Sequence, residues 1–387
     1  MKIDQMLLRE NFYLINEKTL QSYYKTVHGI DTVISTHKRS LLRDAFIYPK
    51  INSIISRFPS KKVRNYIFAE FNARNNFVKY LQWKLFSALC LYSGGLTASN
   101  TLNFAKSKPI NKDILIWPCN RKIRIFNFDL GYVDSIIKDG FTKKYFNKEV
   151  SFRLNTNYSF VPKISSHGDN WYREHLLIGQ PLARIKDNEQ FEKSSIETIS
   201  NIKKIVQDTI KYINVDKYVT VLFNRIDELV LNAKKRKNIS TGNDILNLAT
   251  IASKNAKLIQ SEIPFALSHG DLQSGNLWVD TKNRRTLIID WETNDYRSIW
   301  YDPATFLLST RRDNGVYDMI TNRNSEKVKN AVLINDSIKT YNMDGVIGII
   351  ILEDIVFCLE DNLELQSNWG KENIDQLGKQ LKKIKWE

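Results

Sequence analysis

Apolar positions along the chain change their spacing twice, and the changes divide it into segments of different expected structure. Over residues 1–105 apolar and aromatic side chains recur mainly at three- and four-residue intervals, which predicts helices. The longest such run is 52–92, with Ile67, Phe71, Phe77, Leu81, Leu85 and Leu89 on a helical repeat and Pro59 and Ser60 breaking it early. The polar stretch 97–112, with Pro109, reads as a linker. Beyond it the texture turns to short β-branched and aromatic segments at 113–117, 122–128 and 132–137. Pro118, Asp129, Gly131 and Gly140 separate them, as in a meander.

A helix is expected over 144–154 and strands over 158–164 and 171–178, the last stopped by Gly179 and Pro181. From Asn188 onward long amphipathic helices are expected at 192–213, 217–235 and 243–262. A β-rich island follows at 277–279 and 287–289 around a turn at 280–284, and the chain reads as helical again from Pro303. The apolar run 346–358 predicts a buried helix capped by Asp344 and opened by Gly345. That run and 85–96 are both shorter than the roughly 18–20 apolar residues that span a bilayer.

Charge changes this picture in one respect. Residues 1–110 carry 17 Lys/Arg against 6 Asp/Glu, whereas the remainder carries 40 against 36, so most of the net +15 resides in the N-terminal region. Such a region suits an anionic partner, here peripheral association with an anionic membrane, or forms a solvated basic face. Arg57, Lys61, Lys62 and Arg64 lie among Phe58, Tyr66 and Phe68, but aromatics at helical spacing indicate core, and no nucleic acid is expected. Cys90, Cys119 and Cys358 are widely spaced and odd in number, which implies neither a zinc site nor a disulfide framework and fits a reducing cytoplasm.

The chemistry concentrates at Ser268-His269-Gly270-Asp271-Leu272-Gln273-Ser274-Gly275-Asn276, followed by a strand, a turn and Leu287-Ile288-Ile289-Asp290-Trp291-Glu292. Phosphoryl transfer needs a carboxylate to orient the acceptor hydroxyl and oxygen ligands to hold Mg²⁺ against the phosphates of ATP. Asp271 suits the first role, and Asn276 and Asp290 the second. His269 is expected to brace the loop rather than act as a base, and Gly270 and Gly275 to allow a tight backbone path. A second His-Gly-Asp, at 167–169, has Glu174 where the Asn would stand and reads as a turn before a strand.

This pattern resembles the family of aminoglycoside phosphotransferases and choline kinases. Leu272 to Asn276 and Asp290-Trp291-Glu292 are similar to the choline-kinase form, although that branch usually has Asn where Gly270 stands. Tyr301-Asp302-Pro303-Ala304 resembles the segment whose Asp anchors the loop. The resemblance is strong over 265–306, loose over 115–387, and does not reach 1–110. It implies an α+β, bilobal, protein-kinase-like fold: a small antiparallel β lobe over 111–182, a larger helical lobe over 183–387, and a basic, mainly helical N-terminal extension over 1–110.

It also implies a strand Lys paired with a helix Glu to hold the nucleotide, for which Lys138 and Glu149 are the candidates, with adenine against the backbone of 175–178. Glu292 is a candidate on the acceptor side. Arg297, Arg311 and Arg312 would meet an anionic acceptor or pair with Asp295, Asp302 or Asp313. The implied activity is an ATP- and Mg²⁺-dependent phosphotransferase acting on a small hydroxylated acceptor or on a cell-surface glycan or its precursor. The alternatives are an antibiotic kinase and a catalytically inactive kinase fold used as a binding module.

Overall fold

A computed structural model of the protein describes residues 2–38, 43–70, 77–105, 110–237, 239–260, 262–312, 314–332, 341–363 and 368–382. Phe71, Pro109 and Asp313 lie outside the described residues. The chain is α+β and divides into two compact units, residues 1–155 with 162–178 and residues 156–161 with 179–387.

The first unit opens with helices α1 (Ile3–Arg9) and α2 (Phe12–His28). Strands β1 (Val33–Lys38), β2 (Ala45–Tyr48) and β3 (Ser53–Ser56) follow, then helices α3 (Lys61–Glu70) and α4 (Phe77–Tyr92). Strands β4 (Asn100–Ala105), β5 (Ile114–Pro118), β6 (Lys122–Asn127) and β7 (Tyr132–Ile137) lead into helix α5 (Lys143–Asn155) and the hairpin β8 (Ile164–His167) and β9 (Trp171–His175). All nine strands form one antiparallel sheet in the order β1-β4-β2-β3-β5-β6-β7-β9-β8.

The extension expected over 1–110 does not stand apart from the sheet. Helices α1 to α4 are there, but four strands of the sheet are too, and β3 pairs with β5 through Ile54 and Ile116, across the boundary expected at 110. Within the expected linker, residues 100–105 form β4. Strands β2 and β3 escaped the periodicity because they are buried on both faces, so they read as continuous apolar runs without alternation.

The alternation is nonetheless present in the packing. Ile47, Ile54, Ile116, Ile125 and Ile136 join one core with α1 and α2, through Met6, Phe12 and Leu20. Their neighbours Phe46, Ile55, Leu115 and Phe126 join the other, with Val63 and Ile67 of α3 and Cys90 and Leu91 of α4. Tyr66 and Phe68 pack against this second core, whereas Phe58 is exposed.

The second unit begins with β10 (Gly179–Pro181), α6 (Asn188–Thr209), β11 (Lys211–Asn214), α7 (Val215–Lys237) and α8 (Gly242–Ala256). Strands β12 (Glu262–Ser268), β13 (Leu277–Asp280), β14 (Arg285–Ile288) and β15 (Asp295–Ser298) follow. The chain continues with α9 (Tyr301–Leu307), α10 (Gly315–Thr321), α11 (Glu326–Val332), α12 (Met343–Leu363) and α13 (Asn368–Leu381). Two three-stranded sheets form, β10-β13-β14 and β11-β12-β15.

The helices expected over 192–213 and 243–262 stop at Thr209 and Ala256, giving way to the paired strands β11 and β12. Residues 158–163 turn instead of extending, with the Val161 N–H donating to the Tyr158 carbonyl. Helix α12 is the hub on which α7, α8 and α13 pack. Its cap is Asn342, whose Oδ1 accepts the Gly345 N–H at 3.1 Å, rather than Asp344. At Gly348 a Cβ would come within 2.5 Å of the Ala252 carbonyl oxygen, so glycine is what lets α8 approach this closely. Among the described residues no helix is long and apolar enough to cross a membrane.

Within α12 the buried Glu353 accepts from the Tyr218 hydroxyl at 2.6 Å and from the N–H and hydroxyl of Ser298, each at 2.7 Å. Burial pushes its carboxyl up to about 7, with those hydrogen bonds opposing the shift. The folded chain therefore holds a proton that an unfolded glutamate, titrating near 4.5, has released. This contribution to stability is complete below about pH 4.5 and is lost as pH rises through about 7. Glu353→Gln places a neutral amide there and should flatten the decline in melting temperature across that window, as measured by thermal denaturation over a pH series.

Candidate active site

Between β12 and β13 the chain runs through a loop, 269–276, whose path is set by one buried carboxylate. Asp302, in the first turn of α9, accepts the Ser268 hydroxyl at 2.8 Å, the His269 N–H at 2.6 Å and the Gly270 N–H at 3.0 Å. Gly270 has φ +85, and a Cβ there would lie 2.4 Å from the Thr293 carbonyl oxygen. A side chain at this position would meet that oxygen, so the path of the loop here requires glycine.

His269 is buried with both ring nitrogens engaged. Nε2 lies 2.9 Å from the Ile289 carbonyl, and Nδ1 accepts the Asp271 N–H at 3.2 Å. These partners assign the neutral tautomer protonated at Nε2 and leave no nitrogen for acceptor chemistry. The ring stands edge-on to Trp291 with centroids 4.6 Å apart, and the Trp291 indole donates to the Ile288 carbonyl at 2.7 Å. The histidine thus ties the loop to the far strand.

Asp271 is half-buried. Its Oδ1 accepts the Gln273 amide at 2.7 Å, and the Asn276 amide nitrogen donates to the Asp271 carbonyl at 2.8 Å and to Oδ2 at 3.2 Å. With its nitrogen so engaged, Asn276 keeps Oδ1 for another partner. In the β13–β14 hairpin Leu277 faces Ile288, and the Ile289 N–H donates to the Asn276 carbonyl at 2.9 Å, extending the ladder by one step. Asp290 follows at once, at the same end of the hairpin as Asn276, in a left-handed conformation with φ 67. A non-glycine residue held there is strained and is maintained by its surroundings. The amide oxygen and carboxylate are hard oxygen donors, suited to Mg²⁺ rather than to a soft metal.

Arg311 does not take the partners expected from the sequence. It lies 2.6 Å from Asp354 of α12 and 3.7 Å from Asp271 Oδ1, and it donates to the Gly270 carbonyl at 3.3 Å and to the Tyr301 hydroxyl. Its guanidinium rests over the Phe357 ring at 3.4 Å. Burial opposes the Arg311 charge, yet Asp354 more than restores it, and the cation stays above its ordinary range. Arg297 donates to the Thr293 carbonyl at 3.2 Å, and Arg312 is exposed. Glu292 is buried in the short 3₁₀ turn Trp291–Thr293.

In the first unit the expected pair is not formed. The Lys138 ammonium lies 2.6 Å from Glu10 and 3.2 Å from the Met6 sulfur, whereas Glu149 lies 2.8 Å from Lys122. The reason is parity. Asp134, Ile136 and Lys138 point to the face covered by α1 and α2, where Asp134 accepts from the Tyr23 hydroxyl at 2.8 Å. Helix α5 serves the opposite face, to which Ile137 points, and the cross-strand neighbour of Ile137 is Lys122.

Glu149 also lies 3.3 Å from Arg153 and accepts the Tyr172 hydroxyl at 3.0 Å. Glu174, at 2.7 Å from Arg124 and paired with Arg153, completes a buried network of three cations and two carboxylates with Lys122 and Glu149. Burial alone would raise the Glu174 carboxyl, but the arginines hold it below its ordinary value. In the second His-Gly-Asp, His167 ends β8 and Gly168 and Asp169 lie in the turn of the β8–β9 hairpin. Of residues 175–178, expected to face adenine, His175 ends β9 and 176–178 leave the sheet after the Leu176 N–H donates to the Gly131 carbonyl at 2.9 Å. Periodicity did not single out Lys122, Arg153 or Asp354; a lysine and an arginine alternating with isoleucine on β6 were the available signal of a buried charged face.

The profile of the phosphotransferase enzyme family matches residues 226–327, the segment that contains the loop, the hairpin and Asp302. The family resembled by the motif is thus the family that this segment matches. No curated protein matches the chain. Among solved structures, an ethanolamine kinase of Plasmodium vivax is 16% identical with a TM-score of 0.46, over 83% of this chain and 94% of its own. A choline/ethanolamine kinase family protein of Mesorhizobium loti is 12% identical with a TM-score of 0.46, over 72% and 90%. A thermostable aminoglycoside phosphotransferase mutant in ternary complex with AMP-PNP and hygromycin B is 11% identical with a TM-score of 0.42, over 69% and 93%.

Burial pulls the Lys138 ammonium down to about 8 even with Glu10 beside it. Glu10→Gln should therefore destabilise the protein by about 3–5 kcal/mol, the usual consequence of leaving a buried charge unpaired. Combining it with Lys138→Met should recover most of the loss in denaturant titrations, while Lys122→Met in the same background should not.

Proposed function

We propose that this protein transfers the terminal phosphoryl group of ATP to a hydroxyl of a small molecule or sugar. One observation carries the reading: Asn276 spends its amide nitrogen on Asp271, keeps its oxygen for a cation, and stands with Asp290 at the open end of the β13–β14 hairpin, opposite its turn. In this arrangement Asp271 orients the acceptor hydroxyl and takes its proton as the new P–O bond forms and ADP departs. Gln273 and Arg311 hold that carboxylate in place. Asn276 and Asp290 would hold Mg²⁺, which when bound offsets charge on the phosphates.

The lysine that meets the nucleotide is, in this proposal, Lys122 rather than Lys138. Lys122 has the helix glutamate as its partner, whereas Lys138 is committed to Glu10. Glu292 is the acceptor-side carboxylate of the same proposal. The acceptor we favour is a cell-surface glycan or its precursor. Composition supports this choice over a polycationic antibiotic, since residues 111–387 hold 36 acidic groups against 40 basic ones and offer no surplus of negative charge.

The test is an ATPase-coupled screen of sugars, amino alcohols and aminoglycosides, followed by variants assayed on whichever acceptor turns over. Asp271→Asn should lower kcat by about 10²–10⁴-fold while nucleotide binding persists. Lys122→Met should raise the KM for ATP by about tenfold or more, the scale of one charge-assisted hydrogen bond, and Lys138→Met should leave it unchanged. Wild-type turnover by Asp271→Asn would sink the reading.

A further inference from the structure

Helix α4 has two apolar faces, and only one of them is used by the fold. Ser87, Cys90 and Leu91 are buried, and Trp83 and Phe86 pack against the core beside α3. On the other side Val78, Leu81, Leu85, Leu89 and Tyr92 are between 46% and 61% exposed. At about 100° per residue these five positions fall within one sector of roughly 80°, so they form a continuous stripe rather than scattered exposures. Contiguous exposed apolar surface of this kind marks an interaction site.

We propose that this stripe docks the protein onto a membrane surface rich in anionic lipid, with α4 lying in the plane of the interface. Charge selects this occupant. Lys79 and Lys84 are exposed on the two flanks of the helix, about 80° and 60° beyond the edges of the stripe, and the Lys84 ammonium lies over the Tyr80 ring at 5.6 Å. Exposed Phe58 adjoins the stripe near Gly94, with the Arg57 guanidinium over its ring at 5.3 Å, and Arg64 lies over the Tyr92 ring at 4.8 Å. Residues 45–112 contain eleven Lys/Arg and a single acidic residue, Glu70.

A second copy of the chain would bring the same positive flanks against themselves, whereas anionic headgroups complement them. The helix is not long enough to cross a bilayer, which leaves the interfacial position. This inference stands independently of the phosphotransfer reading.

The experiment is vesicle flotation of the full chain with phosphatidylglycerol-rich and with pure phosphatidylcholine vesicles, at low and high salt. Binding to the anionic vesicles alone, released by salt, is the expected result. Leu85→Asp combined with Leu89→Asp should abolish it without changing the melting temperature, because both side chains are exposed. Lys79→Glu combined with Lys84→Glu should weaken it by about twentyfold or more, the scale expected for two basic groups at such a surface. Absence of binding, equal binding to both vesicle types, or unchanged binding by both double variants would overturn the proposal. So would a wild-type dimer in sedimentation equilibrium that Leu85→Asp with Leu89→Asp splits, since the occupant would then be a second copy.

Discussion

The second unit depends on Asp302. A carboxylate buried among two backbone N–H groups and a hydroxyl fixes the start of the loop that carries Asp271. Such charge-assisted bonds are stronger than neutral ones, and inside the protein no water competes for them. From that anchor the chain turns at Gly270, where only hydrogen fits beneath the Thr293 carbonyl. The remaining geometry is a ladder. Asn276 and Ile289 continue the β13–β14 pairing, and His269 reaches over to Ile289 to close the loop against it. Backbone hydrogen bonds thus build the frame on which Asp271, Asn276 and Asp290 stand, and the Asn276 amide braces the Asp271 carboxylate within it.

Charge burial is the organising theme around this framework. Arg311 connects Asp271 to Asp354 on α12, so the carboxylate of the loop is electrostatically tied to the helix on which α7, α8 and α13 pack. Burial pushes the Asp354 carboxyl up, Arg311 opposes that shift, and negative Asp271 adds to it. In the first unit, Lys122, Glu149, Arg153, Glu174 and Arg124 form a network on one face of the sheet, while Asp134 and Lys138 bind α2 and the end of α1 on the other. Buried ion pairs of this kind contribute less to stability than to specifying which partners meet, because desolvation cancels much of their attraction.

Much of this was legible from residue order. The meander at 113–137, the helix that carries Glu149, the hairpin around 280–284 and the buried helix at 346–358 all follow from local periodicity and turn residues. The N-terminal region was not. Strands β2 and β3, buried on both faces, lack the alternation that identifies a strand, and β4 lay in a stretch polar enough to pass for a linker. Strand β12 was not assigned from the sequence: the helix expected over 243–262 ended where it begins, and Pro264 interrupts the segment.

The order of residues alone determined the chemistry on offer at 268–292: two carboxylates and an amide at fixed separations around a turn, close enough along the chain for a hairpin to bring them to one end. Tertiary structure alone decided which lysine faces Glu149. Lys138 and Ile137 are neighbours in sequence but point to opposite faces of the sheet, and the helix that carries Glu149 covers only one of them. A strand's two-residue period makes such an assignment depend on which layer covers each face, and that is a property of the assembled sheet rather than of any local stretch.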